Sequence, residues 1–286
     1  MPTIKEYDKK LSSLKNTYKM TRTMKLVAMS KLYRAQENQR KAKSYSELLT
    51  DLIHRISRVH NQHPLMLKKE SVKKILILVF TSDKGLCGSF NNQLIKQVAT
   101  WIRSNPHLQV DMSFAGKRGY MFFKKITHVK RYYEGSTANP DFQTASDIGK
   151  EISDDFINGV YDEVYVAYNT YHSPLSQTAI FEKVLPIEPK SFLKDGTSIP
   201  ATCIFEPAQD ELLQFLVPKY LYFRIYFTFL ENAAGEHGAR MMAMESASKN
   251  AEDLMERYML LRNRARQAAI TTELIEIIGG AEALKG

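Results

Sequence analysis

Apolar positions in the first 60 residues follow a helical period, and this stretch contains no glycine. Steps of three and four residues alternate, as in the seam of a coiled coil, at Ile4, Tyr7, Leu11, Leu14 and Tyr18. The same seam is predicted to return at Tyr45, Leu48, Leu52, Ile56 and Val59. The pattern therefore predicts one helix from Thr3 to about Val59, roughly 85 Å long.

Local signals mark both ends of this helix. Thr3 and Glu6 have the spacing of a capping box, in which each side chain accepts a hydrogen bond from the other residue's backbone N–H. The polar stretch His60–Pro64 contains a proline and predicts the end of the helix.

The period changes in residues 70–206, where short apolar runs alternate with helical patterns. A continuous apolar run at 75–80 is typical of a strand buried on both faces. Strands that alternate with helices indicate a parallel sheet with helical crossovers, so we expect a Rossmann-like α/β domain. The predicted helices are 90–103, 119–125 and 145–158, and the predicted strands are 75–80, 108–115, 127–133, 163–168, an edge strand at 178–185 and a last short strand at 202–205.

The helical period returns at Pro207, which suits a first helical turn, and persists for about 70 residues or roughly 105 Å. We expect a bend at Pro218 and a helix end at Gly279-Gly280. The predicted seam of this second long helix comprises Leu254, Tyr258, Leu261, Ala265, Ala268, Thr272 and Ile275.

Two long terminal helices with matching seams predict an antiparallel pair. The expected fold is thus an α/β protein with a long antiparallel two-helix coiled coil from both termini and a central Rossmann-like domain. The predicted segments are an N-terminal coiled-coil helix at 1–62, the α/β domain at 70–206 and a C-terminal coiled-coil helix at 207–286. The C-terminal helix is the longer one and should extend past its partner.

Charge changes this picture at one end of the chain. The 286 residues contain 40 Lys and Arg against 31 Asp and Glu, and residues 1–60 contain 14 of the basic and 5 of the acidic side chains. The whole excess of nine positive charges therefore lies in the N-terminal helix, which argues against a uniformly basic protein that coats nucleic acid. No apolar run is long enough to span a membrane, and two cysteines do not make a disulfide framework.

Candidate chemistry is sparse. The turn Thr81–Ser89 follows a strand and precedes a helix, where α/β proteins bind phosphates, yet it matches neither common glycine-rich phosphate motif. We interpret Cys87 as a buried structural thiol and His60 and His63 as ordinary loop histidines, and we expect no cofactor or metal. Three hypotheses stay open: a basic helix that binds nucleic acid, an α/β enzyme that binds a nucleotide at the turn, and a basic shaft that fits an acidic socket on another protein.

Four motifs then resemble one family. They are KNT at 15–17 with TMKLVAMSKL at 23–32, TSDKGLCGSFN at 81–91, RMMAMESASKNA at 240–251 and NRARQAAITTELIEI at 263–277. The residues of these motifs and their order along the chain are similar to those of the gamma chain of F-type ATP synthases. The motifs cover the chain from end to end. The resemblance implies a non-catalytic rotor shaft of a rotary, proton-driven ATP synthase.

The resemblance also implies partners. The helix pair would lie inside a hexamer of three alpha and three beta subunits, which carry the catalytic sites on beta. The α/β domain would contact the epsilon subunit and the membrane c-ring, so membrane contact would be through the ring alone, with no nucleic acid. Because Met1 is present and neither the chloroplast regulatory insertion nor a presequence is, we expect a peripheral protein on the cytoplasmic side of a bacterial plasma membrane.

Individual residues can be carried over by position. Arg266, Gln267 and Thr271 fall where the family's shaft bonds to beta-subunit loops, although a solvated helix face is the alternative. Met24 and Lys25 fall beside an acidic loop of beta, with seam packing as the alternative for Met24. The remaining positions are a hexamer bearing at Ile275, Ile277 and Ile278 and a foot facing the c-ring and epsilon at Cys203, Phe205 and Glu206.

Overall fold

A computed structural model describes residues 3–57, 63–188 and 208–283. It has a mixed α/β fold with a long helix near each end. The helices are α1 Ile4–Ser57, α2 Phe90–Ser104, α3 Lys117–Phe123, α4 Phe142–Ile157 and α5 Gln209–Ala283, and a short 3-10 helix spans Pro64–Met66. The strands are β1 Lys74–Phe80, β2 Gln109–Ala115, β3 His128–Tyr133, β4 Glu163–Ser173 and β5 Ser176–Leu185.

The capping box at the start of α1 is confirmed. The backbone N–H of Thr3 donates to Oε2 of Glu6 at 3.0 Å, and the N–H of Glu6 donates to Oγ1 of Thr3 at 3.4 Å. From this start α1 continues for 54 residues without interruption.

The five strands form one sheet in the order β3-β2-β1-β4-β5. The first four strands of that order are parallel to their neighbours, and β5 is antiparallel to β4 at the edge. The predicted parallel sheet with an added edge strand is thereby confirmed. The predicted strand at 202–205 lies outside the described residues.

Strand β1 is buried on both faces, as its continuous apolar run predicted. Leu76, Leu78 and Phe80 belong to a core cluster that includes residues of α4 and α5. The alternate residues Ile77 and Val79 belong to a second cluster with α2 on the opposite face. Because successive side chains of a strand point to opposite faces, both halves of the run exclude water.

The chain divides into two compact units. One comprises residues 1–27 with 241–286, and the other comprises residues 28–240. The second unit contains the sheet and both of its core clusters.

In the first unit α1 and α5 contact each other in antiparallel order. Oγ of Ser248 donates to Oγ1 of Thr21 at 2.7 Å, and Nη1 of Arg262 lies 3.3 Å from Oδ1 of Asp8. The half-buried side chains on this part of α1 include the five that the seam predicted, namely Ile4, Tyr7, Leu11, Leu14 and Tyr18.

The predicted return of the seam in the second half of α1 is wrong. Tyr45, Leu48 and Leu52 are exposed, at 52%, 71% and 42%, whereas Leu49 and Ile53 are buried. The buried residues belong to the α/β core together with residues of α5, so this part of α1 packs on a broad apolar surface rather than on one helix. One residue of displacement turns the helix face by about 100°. The side chain of Ile56, like Val59, lies outside the described part.

Two predictions for α5 are also wrong. The helix does not end at Gly279-Gly280 but continues to Ala283. Each glycine costs about 1 kcal/mol in a helix interior, which a helix already formed can tolerate. The predicted seam is correct at Tyr258, Leu261 and Ala265, which are half-buried, but its other members are exposed: Leu254, Ala268, Thr272 and Ile275.

Among the described helices, none combines the length and apolar character needed to cross a lipid bilayer.

Candidate functional site

The turn after β1 is held by bonds among its own side chains. The backbone N–H of Ser82 donates to Oδ1 of Asn91 at 2.9 Å, and Nδ2 of Asn91 donates back to Oγ of Ser82 at 2.7 Å. That hydroxyl in turn donates to the carbonyl of Lys84 at 2.6 Å. These groups satisfy one another, which is the behaviour of a structural turn rather than of a phosphate cradle.

Asp83 ties this turn to the next two crossover connections. Its carboxylate accepts the backbone N–H of Lys117 at 3.0 Å and the hydroxyl of Thr137 at 2.7 Å. Gly116 adopts φ 106°, and a Cβ there would lie 2.1 Å from the carbonyl oxygen of Thr81. The close approach therefore requires glycine at this position.

Helix α5 closes the crevice in which a doubly wound sheet binds ligands. Such a crevice lies at the carboxyl ends of the strands where the strand order reverses, here between β1 and β4. Nδ2 of Asn232 donates to the carbonyl of Thr81 at 3.5 Å, and the guanidinium of Arg240 donates to the carbonyl of Gly85 at 3.2 Å. The chain's own helix thus fills the position at which doubly wound sheets bind ligands.

Two glycines let α5 approach this closely. A Cβ at Gly235 would lie 2.9 Å from Cε2 of Phe90, and one at Gly238 would lie 3.0 Å from Cε2 of Tyr171. Asn169 at the same edge donates from Nδ2 to the carbonyl of Phe90 at 3.2 Å. The carbonyls of Phe90, Thr81 and Gly85 at the crevice are thereby bonded within the chain.

The closed crevice contains buried charges. Oε1 of Glu236 and Nη1 of Arg240 are 2.7 Å apart. Burial raises the pKa of Glu236, against the opposing effect of Arg240. Burial, with the nearby charges of Arg240 and Lys31, lowers the pKa of His237 to about 4.

Cys87 and His63 are both buried, as befits structural residues. Burial raises the pKa of the Cys87 thiol, which disfavours the reactive thiolate. Nδ1 of His63 accepts the backbone N–H of Leu65 at 3.1 Å, and burial lowers the pKa of this imidazole. His60 lies outside the described residues.

The C-terminal part of α5 differs from the part that closes the crevice, because most of its side chains are exposed and make no bonds to other described side chains. Arg266, Gln267 and Thr271 are all exposed. Oγ1 of Thr271 donates to the carbonyl of Gln267 at 2.9 Å, while the side chains of Arg266 and Gln267 have no hydrogen bond or ion pair to other described residues. Their polar groups are therefore available to a partner.

Beyond Ala269 every described side chain of α5 is exposed. This end, residues 270–281, has aliphatic side chains that are 48–68% exposed at Ile270, Leu274, Ile275, Ile277 and Ile278. A stretch this apolar at the end of a helix is typical of a binding surface.

Met24 and Lys25 are half-buried on α1. Nζ of Lys25 forms a salt bridge with the carboxylate of Glu245 on α5. The positive charge at this position is thus already paired within the chain. Cys203, Phe205 and Glu206, the predicted foot, lie outside the described residues.

Sequence reasoning missed the α5 residues that close the crevice. Asn232, Glu236 and Arg240 recur at a spacing of four, on one face of the helix. The available signal was this row of polar residues on one face of a helix whose base is otherwise apolar. Such a row could have indicated a polar contact of α5 with another part of the chain.

Comparison with known proteins gives consistent matches along the whole chain. The profile of a family described as ATP synthase matches residues 3–284. The ATP synthase gamma chain of Geobacter sp. strain M21 is 39% identical over 290 residues, and that of Geotalea daltonii is 40% identical over 290 residues. Each alignment covers 100% of both proteins.

Solved structures share the fold. A chain of the Euglena gracilis mitochondrial ATP synthase matches with a TM-score of 0.65 and 19% identity, over 98% of this chain and 94% of that one. A chain from the central stalk and c-ring of the Tetrahymena thermophila mitochondrial ATP synthase matches with a TM-score of 0.58 and 21% identity, over 80% and 99%. Neither the nucleic-acid-binding hypothesis nor the enzyme hypothesis is supported by these matches.

Proposed function

This chain belongs to the family of ATP synthase gamma chains, and we propose that it turns as the central shaft of a rotary, proton-driven ATP synthase. The resemblance carried by the four motifs is confirmed by identity over the full length. Its partners in this role are three alpha and three beta subunits, the epsilon subunit and the c-ring.

The proposed mechanism is mechanical. Proton flow turns the ring, the ring turns this chain, and an asymmetric shaft presents a different face to each beta subunit in turn. A shaft can bias a beta site only by contacting its conformational states with different free energy. The ATP chemistry belongs to the beta subunits, and this chain acts as a non-catalytic subunit.

The observation that carries the proposal is the exposed C-terminal part of α5. Arg266 and Gln267 present polar groups that the described chain leaves unbonded, and an apolar end with Ile275, Ile277 and Ile278 follows. In the assembly, we assign the first group and Thr271 to bonds with beta-subunit loops and the isoleucines to an apolar bearing in the hexamer. The antiparallel contacts of α1 with α5 support a coiled-coil shaft.

Met24 and Lys25 on α1 also belong to the proposed contacts with beta. We assign them to a contact with an acidic loop of the beta subunit, which α1 passes as the shaft turns. Because Glu245 already pairs with Lys25, the loop would compete with an internal carboxylate for the same ammonium group. Such competition makes the contact easy to break as the shaft turns, since exposed ion pairs contribute about 1 kcal/mol or less.

We place the foot of the rotor at Cys203, Phe205 and Glu206, facing the c-ring and epsilon, on the family resemblance alone. As a subunit of a membrane-bound complex the chain is peripheral, and we place it on the cytoplasmic side of the plasma membrane.

Reconstitution tests the proposal. Alpha and beta subunits are assembled with and without this chain, and ATP turnover is measured over a range of ATP concentrations. Cooperative turnover that requires the chain is expected. Equal turnover and equal cooperativity without it would contradict the proposed function.

A further inference from the structure

Three elements meet at one buried carboxylate in the unit of residues 28–240. Oε2 of Glu231 on α5 accepts the backbone N–H of Tyr171 on β4 at 2.8 Å. Oε1 accepts Nε2 of Gln39 on α1. The hydroxyl of Tyr171 also accepts Nε2 of Gln36 at 2.9 Å, so α1 is bonded to this point twice. These four residues are named the Glu231 joint.

Burying a carboxylate at this position costs free energy, because the charged group loses its contact with water. Glu231 is only 6% exposed, and no cation lies within ion-pair distance of it among the residues that the structure describes. A buried carboxylate without a cation is held only by its N–H donors, which must be well placed. An apolar side chain would be buried at less cost but would leave the Tyr171 N–H unpaired.

The apolar contacts around the joint hold the helices without fixing their rotation. The base of α5 packs on the sheet through apolar residues such as Leu221, Ile225 and Phe229. Apolar burial is non-directional, whereas a hydrogen bond weakens steeply when its angle changes. Resistance to turning these helices against the sheet therefore depends on directed bonds. On α5 the bonds of Arg224, Asn232 and Arg240 act beside the joint, whereas the joint bonds α1 to β4 and α5.

We propose that Glu231 is a positioning residue for torque transmission, which locks α1 and α5 to β4 so that the sheet and both helices turn as one body. This inference rests on the proposed shaft function. In this proposal the two hydrogen-bond acceptors of Glu231, which bond Tyr171 and Gln39, position the helices, and the negative charge does not.

The test uses the complete complex of alpha, beta and this chain. An Ile126→Cys substitution attaches an optical probe three residues after the end of α3, since Ile126 is 64% exposed and Cys87 is buried. Cys203→Ser keeps the probe off the proposed foot and is present in the reference chain and in every variant, so any effect of that change is common to all of them. The angular variance of the probe is measured during pauses of ATP-driven rotation at low ATP concentration. Glu231→Ala should raise this variance about twofold, because it removes both directed bonds at once.

The conservative variant separates positioning from packing or charge. Glu231→Gln keeps an acceptor for the Tyr171 N–H, and its amide can pair with Gln39 after that amide turns over, so the variance should return to that of the unaltered chain. Glu163→Ala is the matched control, because Glu163 bonds to Tyr165 and Lys183 within the sheet and should leave the variance unchanged.

The outcomes are distinct. Absence of rotation with the unaltered chain would overturn the proposed function itself. Normal rotation with equal variance for Glu231→Ala, or with variance as large for Glu231→Gln as for Glu231→Ala, would overturn the inference alone. Should Glu231→Ala fail to assemble, Gln39→Leu, which removes one bond from a partly exposed position, should give an intermediate variance; no increase would overturn the inference.

Discussion

Glu236 and Arg240 form a salt bridge one helical turn apart on α5, with side chains only 9% and 12% exposed. The same guanidinium donates to the carbonyl of Gly85 at 3.2 Å, in the turn after β1. One arginine therefore neutralises a buried carboxylate and fastens the helix over the sheet.

Replacing Arg240 should lower the free energy of unfolding, because Glu236 would stay buried without a paired cation. Arg240→Met leaves Glu236 buried without its cation, and we expect a loss of about 3–5 kcal/mol in the free energy of unfolding. The double variant with Glu236→Gln should lose less, because no charge is stranded. Urea unfolding followed by the fluorescence of Trp101, the single tryptophan, measures both. Equal losses for the single and double variants would contradict this explanation.

Acid should destabilise the same unit through His237. Its pKa is lowered to about 4 in the folded chain, against 6.5 ordinarily, so folding disfavours its protonation. The stability that the neutral imidazole contributes is complete above pH 6.5 and is lost as the pH falls toward 4, by up to about 3 kcal/mol.

His237→Gln should flatten this loss in urea unfolding measured between pH 7 and 4. The exposed His107 provides the control variant His107→Gln, which should keep the slope of the unaltered chain. The pKa of neighbouring Glu236 is raised, so its contribution has the opposite sign and falls as the pH rises. A His237→Gln slope as steep as that of the unaltered chain would refute the assignment.

Glycines on α5 should respond oppositely to alanine according to their surroundings. Gly235→Ala places a methyl group 2.9 Å from the Phe90 ring and should cost about 1–3 kcal/mol of stability. Gly279→Ala and Gly280→Ala meet open space, so each should stabilise the helix by up to about 1 kcal/mol. Trp101-monitored unfolding measures the first change, and helical circular dichroism during heating measures the others. Similar effects at all three positions would be the contrary result.

A break in α5 should uncouple the complex without unfolding the sheet. Leu261→Pro removes a backbone donor and clashes with the preceding turn, at a cost of about 3 kcal/mol or more. Proton pumping by the reconstituted enzyme in vesicles should fail, while the Trp101 unfolding transition of the isolated chain stays unchanged. Intact pumping would argue against the shaft function.

Local signals in the sequence predicted the fold well where their causes are local. The bonds between Thr3 and Glu6 depend on a four-residue motif, and the two-sided burial of β1 follows from an unbroken apolar run. Both were predicted because neighbours along the chain determine them.

Predictions failed where distant elements decide which side chain is covered. Leu48 and Leu49 are adjacent and equally apolar, yet only Leu49 is buried, because the core built by α4 and α5 lies on its side of α1. Gly279-Gly280 failed as a stop because good helix formers, Ala281, Glu282 and Ala283, follow it and the helix continues through them. Heptad spacing alone could not reveal either fact.

The partner-contact residues are predicted from the resemblance alone, whereas the sequence predicted neither the closed crevice nor the Glu231 joint. Glu231 and Tyr171 are 60 positions apart, and their bond involves a backbone group that no motif marks. Only the folded chain brings such a donor and acceptor together.

Because α5 fills the closed crevice, it behaves as a ligand that is covalently joined to its own binding site. A free molecule in that position would exchange with solvent at a rate set by its concentration and affinity. A segment joined covalently to its own receptor binds at an effective concentration that dilution cannot lower. In this chain the crevice that other doubly wound sheets use for ligand binding is filled by a covalently joined helix, so a free molecule would have to compete with that effective concentration to enter it.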